Sequence, residues 1–248
     1  MATGKIRLNT DTNLLKLIAI VAMLIDHLGA RVFTQYAELR IIGRLAFPLF
    51  AYCISVGCVF TRNIGLYALR MALMAIAVQP LYVTAMGHQT MMSFDWAHNF
   101  YRLDLIFQHY YLPRPSILFT LFLGILVLWT IRDRRYVLTL ILTALIWYLR
   151  NNLDYGEKGI LLMVLFYVLR DRPLCSLAWT AGLMTWWGIP ALQNRFLLSS
   201  NLYLSTQFYA VLALPLIYLP IRTGMRINKY FFYVFYPAHL ALIYLLTM

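Results

Sequence analysis

One apolar run near the start of the chain, residues 14–33, carries three ionisable residues where a membrane helix normally carries none: Lys16, Asp26 and His27. A charged group at the centre of a bilayer costs roughly 2.5–3.5 kcal/mol on insertion scales, so such groups face a packed interior or a wet cavity and mark function. Lys16 and His27 are eleven residues apart. At about 100° per residue this spacing closes three turns plus roughly 20°, placing both on one stripe with Ile20 and Met23, about 16 Å apart along the axis. Asp26 points about a quarter-turn away.

The rest of the composition decides between a buried soluble helix and a membrane span. Of 248 residues, 62% are hydrophobic and 12% charged, with a mean hydropathy of +0.70; soluble globular chains carry about 25% charged residues. The expected fold is therefore all-α: a polytopic integral membrane helical bundle forming a single domain over residues 1–248. Its length suits about nine spans of roughly 20 residues with short connections. The formal charge of +12 does not point to nucleic acid, because Lys and Arg are spread thinly over many loops with no basic stripe or tail. Cys53, Cys58 and Cys175 all fall in apolar runs without metal-ligand spacing, so neither a disulfide framework nor a metal site is expected. The polar N-terminal segment and the charges in the first run predict a retained first span and not a cleaved signal peptide.

The predicted spans are residues 14–33, 40–61, 65–86, 115–131, 136–149, 159–169, 174–189, 202–221 and 230–248. The second contains Gly43, Pro48, Ser55 and Gly57, which allow close helix approach and a kink. The sixth is short and is expected either to extend back through Asp154 and Glu157 or to line a cavity. Residues 87–114 form the longest interruption. There His88, Asp95, His98, Arg102, Asp104 and His109 mix with apolar residues, which predicts an ordered segment lying at the interface. The bias of Lys and Arg supports a cytoplasmic N-terminus, with nine crossings. Arg31, Arg40 and Arg44 then cluster on the outer side against the trend and need another reason to be there.

Several groups are suited to chemistry. His27 can accept a proton near neutral pH, and Lys16, within a turn of the cytoplasmic face, can attract a phosphate. A snorkelling lysine and a histidine hydrogen-bonded between helices are the competing reading. Arg40 and Arg44, spaced i, i+4, share a face and suit a carboxylate, a phosphate or a developing oxyanion, or else anchor the helix at the interface. Asp26 is a partner for either arginine, since buried charges pair. Tyr236 and His239 flank Pro237 in the last span and could turn toward a cavity, while Asp154 lies in a polar loop that either binds an acceptor or is a solvated turn.

The stretches LLKLIAIVAMLIDHLG, LRIIGRLAFPLFAYCISVGCVFTRN, DYGEKGILLMVLFYVLRDR and FYVFYPAHL span most of the chain. In them the sequence resembles the TraX family, membrane proteins associated with pilin acetylation, which is similar in turn to a wider set of transmembrane acyltransferases. Many of those carry a polar or basic residue eleven positions before a catalytic histidine in the first span, the spacing of Lys16 and His27. The resemblance implies transfer of an acetyl group from cytoplasmic acetyl-CoA, across the membrane, to an acceptor at its outer side. It implies His27 as general base, Asp26 orienting or balancing it, and Arg44 stabilising the thioester oxyanion. Lys16 and Arg40 would bind the acyl donor, and His239, Tyr236 and Asp154 the acceptor. The implied acceptor is a peptide or pilin N-terminus and the location a bacterial inner membrane. O- or N-acetylation of an envelope glycan or lipid is the nearest alternative. A proton-coupled transporter and a non-catalytic pilus assembly factor are the alternatives of another class.

Overall fold

In the computed structural model of the chain, the described residues are 9–87, 101–111, 114–189, 205–219, 221 and 223–247. His88, Asp95 and His98 of the long interruption lie outside them. The described residues form helices joined by short turns, with no strand among them. Four helices are long and apolar enough to cross a membrane: Thr12–Arg31, Ala37–Phe60 (a broken one), Ile64–Ala85 and Tyr230–Thr247. Three shorter apolar helices, Ile117–Arg132, Tyr136–Leu149 and Thr206–Tyr218, accompany them.

The described residues divide into two compact units. The first gathers those of 1–61 and 161–229, the second those of 62–160 and 230–248.

In the first unit, α1 (Thr12–Arg31) begins where the Asp11 carboxylate accepts from the amide of Leu14, filling one of the donors a helix start leaves open. It ends with Arg31 in its last turn, a favourable place for a cation against the helix dipole. The second predicted span is two helices, α2 (Ala37–Gly43) and α3 (Ala46–Phe60), with a turn at Arg44 and Leu45. Pro48 explains the break: it has no amide to give to the carbonyl of Arg44, and it is tolerated only in the first turn of the new helix. α1 runs antiparallel to α2 and α3, with Tyr52 Oη donating to the carbonyl of Asn9 at 2.6 Å. Buried Ser55 donates to the carbonyl of Met163 at 2.9 Å, and Tyr52 meets the Phe166 ring edge-on, so the end of the Gly156–Val168 helix joins this core.

Within the second unit, α4 (Ile64–Ala85) starts at Asn63, whose side chain caps Leu66 at 2.9 Å. The short α5 (Leu103–Tyr110) lies in the interruption that the sequence marks as an ordered interface segment. α6 (Ile117–Arg132) packs antiparallel to α4, as the contact of Gly65 with Trp129 and the bond between Gln79 and Ser116 show. α7 (Tyr136–Leu149) has the predicted bounds, and among its residues Ile146 is buried while Val137, Leu140 and Tyr148 are exposed. An apolar face so little buried marks a surface for contact with lipid or protein. α8 (Gly156–Val168) extends back through Glu157 but stops short of Asp154, which lies in the turn before it, and it straddles the division between the units.

The first unit is completed by α9 (Pro173–Gly188), opened by Pro173, a 3-10 helix at Thr206–Ala213, and α10 (Leu214–Tyr218). Ser176 and Thr180 both meet the hydroxyl of Tyr218, at 2.7 and 3.2 Å, and Gly188 lies against the backbone of Phe208, so the 3-10 segment runs back along α9. The second unit closes with α11 (Lys229–Thr247), which contains Pro237.

Candidate functional site

The charged residues of the first run converge on one place between α1 and α2. Two glycines bring the helices together. A Cβ on Gly29 would fall 2.6 Å from that of Leu39, and one on Gly43 would overlap the side chain of Asp26. Asp26 therefore occupies the space that Gly43 leaves, and buried there it is taken from both sides. Arg40 donates through Nη1 to Oδ2 at 2.6 Å and to the main-chain carbonyl of the same residue at 3.0 Å. Arg44 donates through Nη2 to Oδ1 at 2.6 Å. Its Nε donates to the carbonyl of Arg40 at 3.2 Å, which satisfies an acceptor left open where α2 ends.

Both arginines thus share one carboxylate. The Arg44 side chain is 14% exposed and that of Arg40 35%, so Arg44 is the inner and Arg40 the outer member. This pairing is what the spacing and the cost of an unpaired buried charge suggest. It also gives the reason for two arginines against the topology bias. Arg40 and Arg44 are held as partners of a buried acid.

Lys16 and His27 lie on the stripe that turns inward. Ile20 and Met23, between them on that stripe, are buried at 3% and 5% exposure, while Val21 on another face is exposed. Lys16 and His27 themselves are half-buried. Lys16 lies within electrostatic reach of Cys53 on α3, whose thiol donates to the carbonyl of Thr12 at 3.7 Å.

Asp154, Tyr236 and His239 belong to the second unit. Tyr236 and His239 are buried, and their rings meet edge-on at 5.3 Å. The Nδ1 of His239 lies 3.0 Å from the carbonyl of Phe235, so Nδ1 carries the proton in the neutral ring and Nε2 is left as an acceptor. Asp154 is exposed, and its carbonyl accepts from Thr120 at 2.5 Å. The turn after it is tight: Tyr155 and Gly156 both have positive φ, +63° and +51°. This is a conformation a bulky residue such as Tyr155 adopts only at a cost.

Buried Gln79, Ser116 and Thr120 were not singled out by the sequence patterns. Gln79 donates to the carbonyls of Tyr110 and Arg114, both at 2.9 Å, and accepts from the amide of Ser116 at 2.8 Å. The available signal was a glutamine before a proline inside an apolar run, and a serine directly after one.

These features define a class: a helical protein with four helices long and apolar enough to cross a membrane and a buried acid clamped by two arginines, beside a histidine on an inward-facing stripe. The sequence matches the family described as TraX protein over residues 11–247, and the chain belongs to that family. It is 30% identical over 243 residues to a protein of Dichelobacter nodosus described as probable fimbrial assembly protein FimC, serogroup H1, a match covering 92% of each chain. No solved structure matches it.

Proposed function

We propose that the protein is an acetyl-CoA-dependent acetyltransferase of a bacterial inner membrane, acting on an acceptor amine such as a peptide or pilin N-terminus. In this reading the chain crosses the bilayer nine times from a cytoplasmic N-terminus. The observation that carries it is the inward-facing stripe of α1, with a half-buried lysine at one end and a half-buried histidine beside an arginine cluster at the other. The distance between them, about 16 Å of helix rise, is comparable to the length of a pantetheine arm. Lys16 attracts the donor's phosphates and Arg40 assists in holding the donor.

His27 takes the proton from the acceptor amine as its nitrogen attacks the thioester carbonyl. Arg44, fixed by Asp26, stabilises the oxyanion of the tetrahedral intermediate. The carbon–sulfur bond then breaks, the thiolate leaves, and His27 returns the proton to it, which yields the acetylated amine and free thiol. Asp26, with both carboxylate oxygens on the arginines, keeps them in place.

The name of the D. nodosus relative favours a second reading, a fimbrial assembly factor without catalysis. Turnover of acetyl-CoA by the purified protein with a peptide bearing a free α-amine separates the two. His27→Ala should lose transfer by at least about a hundredfold, the usual contribution of a general base. Wild-type turnover in that variant, or none in the wild type, would end the acetyltransferase reading.

A further inference from the structure

The end of the second unit where α4 begins and α6 finishes carries four exposed arginines. Three of them, Arg132, Arg134 and Arg135, lie where α6 turns into α7, and the fold supplies the fourth. α4 and α6 run antiparallel, and the register set by Gly65 against Trp129 and Gln79 against Ser116 puts Arg62 opposite Arg132. The acid in the turn, Asp133, accepts from the indole Nε1 of Trp129 at 2.9 Å. Among the described residues no carboxylate pairs with Arg62, Arg134 or Arg135.

One of these arginines is held there at a cost to the backbone. The amide of Arg134 donates to the carbonyl of Ile131 at 3.1 Å and that of Arg135 to the carbonyl of Thr130 at 2.8 Å, the two bonds that end a helix through a left-handed residue. That residue is Arg134, at φ +56°. Glycine usually takes this position, because a Cβ is strained in it. An arginine kept where glycine fits better contributes through its side chain, and that side chain is exposed.

The surroundings narrow what the arginines receive. Trp129 and exposed Tyr136 flank them, residue types that collect where a membrane helix meets water. Next along the helices come exposed Leu66 and Leu69 on α4, and Val137 and Leu140 on α7. A guanidinium grips a phosphodiester through two parallel N–H bonds. A free phosphate would use the arginines and leave the apolar side chains beside them uncovered, whereas a lipid covers both. We infer that Arg62, Arg132, Arg134 and Arg135 form a headgroup site for an anionic phospholipid, whose acyl chains lie on the exposed faces of α4 and α7. The site requires that this unit stand in a bilayer, and it is independent of acetyl transfer.

The test is native mass spectrometry of the full chain, titrated in detergent with dioleoyl phosphatidylglycerol or dioleoyl phosphatidylcholine, which share acyl chains and differ in headgroup charge. The wild type should retain phosphatidylglycerol at least about tenfold more tightly. Arg134→Gly and Arg62→Gln should each weaken that retention about fivefold, the worth of one arginine at a charged headgroup. Arg150→Gln, which takes the same charge from the other end of α7, should leave it unchanged. In phosphatidylcholine nanodiscs Arg134→Gly should melt no lower than the wild type, since glycine relieves the left-handed turn. Equal retention of the two lipids, undiminished retention in Arg134→Gly or Arg62→Gln, or an equal fall in Arg150→Gln would overturn the site. Displacement of the lipid by millimolar glycerol 3-phosphate, which carries the charge without the chains, would overturn it too and assign the arginines to a soluble anion. Should Arg134→Gly melt lower or not fold, Arg62→Gln measured against Arg150→Gln decides alone.

Discussion

The cluster between α1 and α2 and the hydroxyl cluster around Ser116 are both polar groups buried in apolar helices, yet they are built oppositely. Asp26 has each carboxylate oxygen in an ion pair, and its main-chain carbonyl is used too. Ser116 and Tyr236 leave their hydroxyls open. The difference follows from charge. An unpaired carboxylate away from water costs several kcal/mol, more than a marginally stable protein can lose, whereas an unpaired hydroxyl costs about 1–3. Only neutral groups can be held unsatisfied. The charged site therefore has its geometry completed by its own residues, whereas the hydroxyls of Ser116 and Tyr236 lie beside one another without a well-formed bond.

The contrast is broken most severely at Asp26. Asp26→Ala takes the shared carboxylate from Arg44, whose side chain is 14% exposed, and should cost about 3 kcal/mol. The value sits at the low end of the range for a broken buried pair because Arg40, at 35% exposure, can turn to water. Thermal unfolding in detergent or nanodiscs measures it. If the variant melts with the wild type, the cluster is not a clamp. Tyr236→Phe, which removes a polar atom without orphaning another, is its counterpart with no expected loss.

Charged residues are what made one site legible and the other not. Lys16, Asp26 and His27 stand out because an apolar run tolerates few charges, and Arg40 and Arg44 because the side expected for them runs against the charge bias and their i, i+4 spacing puts them on one face. Their partnership follows from local geometry, since α1 and α2 are consecutive and antiparallel. Ser116 and Gln79 are ordinary in a membrane helix, and their pairing joins residues 37 positions apart. No periodicity reports that. The helices themselves were legible where breakers bound them: α7 has the predicted bounds, and α8 begins at the glycine that ends a left-handed turn. The 3-10 segment Thr206–Ala213 is different. Pro215 explains why one long helix does not run through the region, but apolar spacing does not separate three residues per turn from 3.6. The division into two units escaped for a similar reason, because it falls inside α8, a helix with no break in its sequence.

A smaller perturbation sharpens the same contrast by changing packing alone. Gly43→Ala keeps every charge, but its methyl would overlap Asp26, and the acid must move from between the arginines. The expected cost is about 2 kcal/mol, in the range for overpacking a tight contact. If acetyl transfer is the activity, it should fall with the stability of the clamp. A Gly43→Ala protein of wild-type stability would mean that α2 can retreat from α1, and that close approach is not what holds Asp26.

The smallest effect belongs to a carboxylate that resembles Asp26 in being multiply bonded but lies in water. Asp11 accepts from the amide of Leu14 at 3.3 Å, from the amide of Thr223 at 2.7 Å and from its hydroxyl at 2.5 Å, tying the start of α1 to the segment after α10. The Thr223 hydroxyl, followed by the Thr223 amide, holds its pKa below the usual carboxylate value. A depressed pKa in the folded state contributes stability that is present above the unfolded value, about 3.9, and is lost as pH falls through the folded one. Wild type and Asp11→Ala should thus differ by no more than about 1 kcal/mol at pH 7, the worth of a helix cap, since solvent screens so exposed a group. The difference should be unchanged at pH 5 and shrink below pH 4. Melting temperatures of the two proteins across that range test the sign. A gap that stays constant into acid would mean that the protonated acid still holds Thr223 and that the bonds to Asp11 owe nothing to its charge, and one that widens would mean that folding raises the pKa.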